Sequence, residues 1–338
     1  MRAIGIDTHK ATLAACAVDE LGTPLAEAVF ANDPTGHAAL ARWAARVAPG
    51  ARLGVEGSSS FGAAAARALE DAGFTVREVP PHLSRRERGR TRRPGKSDPG
   101  DALAIARVAA REEALPPIRR VDRSTELSLL LAAHDDLVAE ATRVRNRLHA
   151  DLRVLVPGYA ASAPNLVAAR HQAAAARALR RLAGVHAELA RERLAELRRV
   201  AARARALARR VGALVAGHPL LTLPGVGPLT VAALVAETGD VARFRSADAF
   251  AMFAGVAPIP ASSGQTSRMR LNRGGNRRLN RALHIVALVQ ARSFEPARDY
   301  VARKIGEGKS RRDAIRALKC RLARVVFRQL HASASWAA

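Results

Sequence analysis

Aromatic residues make up only 4% of the 338-residue chain, cysteine occurs twice, and lysine stands only at positions 10, 96, 304, 309 and 319. With so few rings, stacking of single-stranded bases is not expected to be the main way the chain would hold nucleic acid. Cys16 and Cys320 lie far apart and have no metal-ligand spacing, which excludes a thiolate cluster and fits a reducing cytoplasm. No apolar run reaches membrane-spanning length without an arginine interrupting it, and no signal peptide precedes the first apolar segment, so no membrane partner is expected. Acidic residues are scarce too: 30 Asp and Glu stand against 55 Lys and Arg, a net charge of +25. Such a surplus calls for a polyanionic partner, and its being almost all arginine favours bidentate phosphate contacts.

What is there is a normal globular hydrophobic content, 49%, in a chain long enough for more than one core. Alternation and turn residues predict strands over 2–7, 11–18 and 24–31, then a helix over 35–48 and a strand over 52–56. A helix over 60–72, a strand over 74–79, a basic loop over 84–97 and a helix over 99–113 complete this part. A three-strand meander followed by alternating helices and strands is the order of a ribonuclease H-like fold. From about 122 to 215 the chain turns to Ala, Leu, Arg and Glu with helical periodicity, broken near Pro157-Gly158 and Pro164. Leu179, Leu182, Leu189, Leu194 and Leu197 suggest an apolar stripe of coiled-coil type, pairing within the chain or between subunits. The last part holds several helices and ends in a basic one near 310–330. The fold class is therefore α/β plus all-α, with an RNase H-like domain over 1–118, a helical coiled-coil-like spacer over 119–216 and a helical domain over 217–338.

Among so few acids, four are placed with purpose. Asp7 ends the apolar run Ala3-Ile4-Gly5-Ile6, and Glu56 ends Leu53-Gly54-Val55. Asp98 and Asp101 open a helix in Lys96-Ser97-Asp98-Pro99-Gly100-Asp101, three residues apart and so on one face. Taken alone, Asp98 before Pro99 is a good helix N-cap, and Asp101 a favourable first-turn charge. Two strand-end carboxylates converging on that helix shift the balance to a divalent-cation site, because hard cations are held by carboxylate oxygens beside phosphate. His9, on the turn beyond Asp7, is expected at the surface or behind the acids.

Arg85, Arg86, Arg88, Arg90, Arg92, Arg93 and Lys96 precede the acidic pair, where a nucleic-acid backbone would approach. Leu223-Pro224-Gly225-Val226-Gly227-Pro228 reads either as a helix-hairpin-helix turn offering N–H groups to phosphate or as a purely structural turn. A polar segment, Ala261-Ser262-Ser263-Gly264-Gln265-Thr266-Ser267, leads into Arg268, Arg270, Arg273, Arg277 and Arg278.

Taken together these motifs resemble the RuvC-like DEDD transposases of the insertion sequence 110 family, the bridge-RNA-guided recombinases. The resemblance runs over nearly the full length. It rests on Ile4-Gly5-Ile6-Asp7-Thr8-His9-Lys10, Val55-Glu56-Gly57-Ser58, Lys96-Ser97-Asp98 with Asp101, Leu223-Pro224-Gly225-Val226-Gly227, and Phe250 to Pro258 followed by Ser263-Gly264. The stretch Gln265 to Arg270 and the Pro99-Gly100 pair depart from the family pattern, and neither removes an expected ligand. The resemblance implies that Asp7, Glu56, Asp98 and Asp101 hold Mg2+, two ions per site with Mn2+ as a substitute. It implies that Ser263, with Ser262 the alternative, is the catalytic nucleophile. It further implies donor and target DNA, a structured noncoding guide RNA, and a dimer or tetramer whose active sites are shared between subunits, acting in the cytoplasm at the nucleoid. Two other functions compete: a junction resolvase or nuclease that uses water, and a non-catalytic nucleic-acid-binding protein.

Overall fold

The computed structural model of the chain describes all residues except 59, 90–97, 119–121, 261–268, 271, 273, 334, 335, 337 and 338, with the backbone alone at Asp98, Pro99, Pro260 and Met269. It divides into two compact units, Met1–Arg120 and Val121–Ala338.

The first unit is built on a five-stranded sheet in the order β3-β2-β1-β4-β5. Its strands are β1 (Ala3–Thr8), β2 (Thr12–Val18), β3 (Pro24–Ala31), β4 (Arg52–Val55) and β5 (Val76–Glu78). The first three pair antiparallel as a meander, whereas β4 lies parallel to β1 and β5 parallel to β4. This is the RNase H-like arrangement that the order of elements predicts. Strand alternation sorts the residues of β1 and β4 onto two faces. Ile4, Ile6, Leu53 and Val55 enter one core with Leu40 and Trp43 of α1 (Pro34–Val47) and Leu69 of α2 (Ala63–Asp71). Ala3, Ala14 and Cys16 face the other way, against Ile105, Ala106 and Ala109 of α4 (Asp98–Arg111).

That second face is made of small residues, and α4 approaches closely because of them. A Cβ on Gly5 would lie 2.1 Å from the Ala106 nitrogen and 2.2 Å from the Ala102 carbonyl oxygen. One on Gly54 would meet Ala109 Cβ and Val79 Cγ2 at 2.8 Å each. The glycines in Ile4-Gly5-Ile6-Asp7 and Leu53-Gly54-Val55-Glu56 are thus the contact surface for a helix. One expectation is corrected here. The stretch from 84 onward, expected as a loop, begins inside a helix, α3 (Pro81–Arg88), in which Pro81 takes the first helical turn and Ser84 and Glu87 are buried. Its composition hides it, because two buried polar side chains replace the usual apolar stripe.

The second unit is almost wholly helical. The long helices α5 (Arg123–Leu155) and α7 (Val185–Leu214) pair antiparallel, since Asp151 meets His186 and Arg193 at one end and Glu126 meets Arg210 at the other. Leu137, Val144, Leu148 and Leu152 pack with Leu194, Leu197 and Val200 between them, and with Leu179 of α6 (Ala169–Arg180). Leu189, expected in this stripe, is instead 43% exposed, and Ala187 and Ala190 occupy the buried positions beside it. The other ends of both long helices, through Leu127, Leu130, Val211 and Val215, enter the core of the C-terminal helices. These are α8 (Pro228–Thr238), α9 (Ala247–Phe253), α10 (Arg277–Ser293), α11 (Glu295–Gly306) and α12 (Arg311–Ala332). The long helices therefore have a core of their own along their middles, and only these ends join that of the C-terminal helices. A short antiparallel ribbon, β6 (Ile259–Pro260) with β7 (Met269–Arg270), pairs Ile259 with Arg270 and Pro260 with Met269. Among the described residues, no helix is long and apolar enough to cross a membrane.

Candidate active site

Parallel pairing of β1 with β4 matches Ile6 to Val55, and the Glu56 N–H donates to the Ile6 carbonyl at 3.2 Å. Asp7 and Glu56 are consequently neighbours at the ends of two adjacent strands. By alternation both belong to the face that carries α4, and α4 bears Asp101 in its first turn. The Gly5 contact with Ala102, the next residue, fixes the height of Asp101 over the strand end. Asp7 feels the charge of both other acids. Burial pushes the Asp7 carboxyl above its ordinary value; His9 opposes this, while the charges of Asp101 and Glu56 add to it.

A basic or hydroxyl group stands beside each of the three carboxylates. Asp7 Oδ2 lies 3.2 Å from His9 Nε2, and Asp101 Oδ1 lies 3.0 Å from Arg88 Nη1. Ser84 Oγ donates to Glu56 Oε2 at 2.6 Å, and the Thr8 hydroxyl to the Glu56 carbonyl at 2.8 Å. Ser84 and Arg88 are one turn apart on α3, so a single helix face reaches two of the acids. Glu87 holds α3 to α4 by accepting from Arg111 Nη1 at 2.9 Å. Ser58, two residues beyond Glu56, is buried, with no hydrogen-bond partner for its hydroxyl among the described residues.

As placed, no three His, Cys, Asp or Glu side chains among the described residues gather closely enough to ligate one ion. The chemistry of the donors nonetheless fits a hard divalent cation: only carboxylate oxygens are offered, and they repel one another where no cation lies between them. The Arg88 guanidinium beside Asp101 adds positive charge next to that carboxylate. The Asp98 side chain lies outside the described residues, as do Ser262, Ser263, Arg90, Arg92, Arg93, Lys96, Arg268 and Arg273. Arg85 and Arg86 are exposed on α3, whereas Arg88, expected to face a phosphate backbone, turns to Asp101. Arg270, Arg277 and Arg278 are exposed in the other unit, with Arg278 3.6 Å from Glu237.

The glycine turn of the second unit is a packing device. Gly225 has φ +77°, and a Cβ there would sit 2.9 Å from Val289 Cγ1 of α10. Gln290 Nε2 donates to the Pro224 carbonyl at 2.8 Å, and Pro228 takes the first turn of α8.

Two family models match the chain: a transposase model of DEDD type over residues 4–157, and a model described as Transposase IS116/IS110/IS902 family over residues 217–302. An IS110 insertion-element protein of 43.6 kDa from Streptomyces coelicolor is 30% identical, over 82% of this chain and 80% of that protein. The chain belongs to the IS110 family of transposases. A 42 kDa protein of insertion element IS900 from Mycobacterium paratuberculosis is 28% identical over 96% of this transposase and 94% of its own length. A solved T. thermophilus RuvC in complex with Holliday junction substrate aligns with 35% of this chain and 99% of its own, at 22% identity and TM-score 0.28. Family membership makes the chain a DNA-binding enzyme of phosphoryl transfer, and the acidic cluster lies within the DEDD-matched segment. Sequence reasoning missed two residues at this site of the transposase. Ser84 fell within the expected loop, and Arg88 was read as a phosphate contact. The four-residue spacing of Ser84 and Arg88 behind Pro80-Pro81 was the available signal.

Proposed function

We propose that this transposase cleaves and rejoins DNA strands through a serine nucleophile, Ser263, working with divalent cations at Asp7, Glu56, Asp98 and Asp101. The observation that carries the reading is the meeting of Asp7, Glu56 and Asp101 around one strand end in a chain of net charge +25. Magnesium, two ions to a site and replaceable by manganese, would polarise the phosphate and stabilise the leaving oxygen. The carboxylates of this chain hold their charge toward that position, and α3 and α4 fix their spacing.

Ser263 then attacks phosphorus through Oγ. One P–O ester bond forms as one breaks, the serine proton is lost, and the departing deoxyribose oxygen ends as an alcohol. The exchange conserves ester bonds, so rejoining by the reverse reaction at a second strand needs no external energy source. Serine is a weak nucleophile near neutral pH, and a nearby concentration of positive charge is what it lacks. Sharing the site between subunits of a dimer or tetramer would bring the serine of one to the acids of another.

The abundance of arginine with scarce aromatics supports recognition of backbone and helical shape, with sequence choice left to a noncoding RNA that pairs with donor and target. The same reading places the enzyme at the nucleoid and divides its chain at 1–118, 119–216 and 217–338 by role.

The test is incubation of the protein with supercoiled donor and target DNA, the flanking noncoding RNA and Mg2+, followed by denaturing electrophoresis. A protein–DNA adduct lost in both Ser263→Ala and Asp7→Ala is expected. Cleavage that persists in Ser263→Ala would instead assign the nucleophile to water.

A further inference from the structure

An open groove of about 2250 Å³ in the second unit is walled by α10 and α12 with α11 at one end. Thirteen of its described lining residues are Arg or Lys and one, Asp313, is a carboxylate, so the groove stays strongly positive even though Arg278, Lys304, Arg316 and Arg324 are each paired with a carboxylate. The wall formed by α12 has a regular spacing. Arg312, Arg316, Arg324 and Arg328 recur at four-residue intervals, broken only by Cys320, along a ridge that turns about 40° round the helix at each step and rises about 24 Å in all. Opposite them, Arg277 and Arg281 repeat the same interval on α10. Arg316 is tied to Asp313 at 2.6 Å and Arg324 to Asp248 at 2.8 Å, whereas the side chains of Arg281, Arg312 and Arg328 make no ion pair among the described residues.

At the floor sits Lys319. Its Nζ donates to Asn280 Oδ1 at 2.8 Å, and Asn280 Nδ2 donates onward to the carbonyls of Ala254 and Gly255 at 3.0 and 2.9 Å. Burial, helped by Arg316, pulls the Lys319 ammonium below its ordinary value. Among the described residues no carboxylate pairs with it. A lysine held in place, partly desolvated and without a counter-charge is a site for a fixed external anion.

Residues that flank the segment carrying Ser263 in the chain also line the groove. Val256, Ala257 and Pro258 on one side of that segment, and Arg270 and Asn272 on the other, line its rim. Both flanks are pinned: Asn276 N–H donates to the Phe253 carbonyl at 2.7 Å, and Asn272 Nδ2 to the Met252 carbonyl at 2.8 Å. A Cβ on Gly275 would lie 2.2 Å from the Gly255 Cα, so the two flanking backbones touch directly.

We propose that the α10–α12 groove binds the sugar–phosphate backbone of the DNA on which the serine acts, with Lys319 holding one phosphate at the floor and Arg312 and Arg328 following the strand along the wall. The choice of occupant rests on the assignment of Ser263. The basic groove itself does not. Charge pattern and shape point to backbone contacts, since Tyr300, the one Phe, Trp or Tyr among the described lining residues, is flanked by Arg303, Lys304 and Arg321 within 5.8 Å of its ring.

The test measures binding in full-length Ser263→Ala protein, where no strand can be joined to the serine. Affinity for a linear duplex DNA is followed across a salt titration. Arg312→Ala/Arg328→Ala should lower the slope of log Kd against log salt by about 2, roughly 0.9 for each phosphate that is no longer neutralised. Lys319→Gln, which keeps a donor for Asn280 while removing the charge, should lower it by about 1 with thermal unfolding unchanged. Arg42→Ala/Arg46→Ala, an equal loss of exposed charge on α1, should leave the slope as it was. Slopes unaltered in the groove variants would overturn the proposal. So would a loss confined to a structured RNA of equal length with DNA binding intact. A parent protein that forms no serine adduct would end the nucleophile reading while leaving these binding results standing.

Discussion

Gly5→Ala tests whether the acidic cluster depends on how closely α4 lies on β1. The added methyl carbon would stand 2.1 Å from the Ala106 nitrogen and 2.2 Å from the Ala102 carbonyl oxygen. Ordinary contact begins at 3.4 Å, so α4 must retreat by about 1.3 Å or its register must slip. No side chain can rotate away, because the obstruction is backbone on the helix and backbone on the central strand. Overpacking of a core costs about 1–3 kcal/mol, and an obstruction of this kind belongs at the upper end, near 3 kcal/mol. For a unit of about this size that corresponds to a fall in Tm of roughly 10 °C or more. The displaced carbonyl belongs to the residue after Asp101, so that carboxylate moves away from Asp7 as well. Metal-dependent strand cleavage should therefore drop by more than the loss of folded protein explains. Hydrogen exchange at β1 and α4 amides reads the N-terminal unit by itself, and cleavage assayed well below the new Tm reads the site. Gly306→Ala is the control, because nothing lies within 4 Å of a Cβ there. A Gly5→Ala protein as stable and as active as its parent would refute the reasoning.

Two further outcomes follow from the same geometry. Arg88→Gln removes the guanidinium beside Asp101, and the Mg2+ or Mn2+ concentration giving half-maximal thermal stabilisation should fall about 2- to 10-fold; an unchanged or higher midpoint would show that Arg88 does not compete for that carboxylate. His218 is buried, its Nδ1 accepts from the Leu220 N–H at 3.0 Å, and its ring lies 4.4 Å from Trp336, so burial holds its imidazole below the ordinary 6.5. The unfolded chain therefore takes up that proton first, and stability complete above pH 6.5 is lost as pH falls through the folded value. His218→Asn keeps an acceptor and should lose less stability than the parent between neutral and mildly acid pH; equal losses in denaturant unfolding would count against this account.

Much of the N-terminal unit was legible because its elements carry the periods of their structures. Ile4 and Ile6, with Leu53 and Val55, alternate as half-buried strands must, and Asp7 and Glu56 follow each run at the point where the apolar pattern stops. The family was legible from the same residues, since the motifs that hold it are the ones the chemistry needs. Helix α3 was not. Eight residues with six charged or polar members give no apolar stripe, and it is helical because Ser84, Glu87 and Arg88 find partners on Glu56, Arg111 and Asp101. Leu189 shows the converse: its residue type suited a buried stripe, but the partner helix covers Ala187 and Ala190 instead.

The sequence by itself determined the order of the strands and of the helices other than α3 in the N-terminal unit, the positions of Asp7, Glu56, Asp98 and Asp101 along them, and the excess of arginine that demands a polyanion. Those properties are local, written in spacing, side-chain type and charge. Tertiary structure alone decided that the small face of β1 and β4 receives α4, that Arg88 answers Asp101, and that α10 and α12 gather their arginines into one groove with Lys319 at its floor. Those outcomes join residues distant in the chain, and they follow from which surfaces can approach most closely when water leaves them.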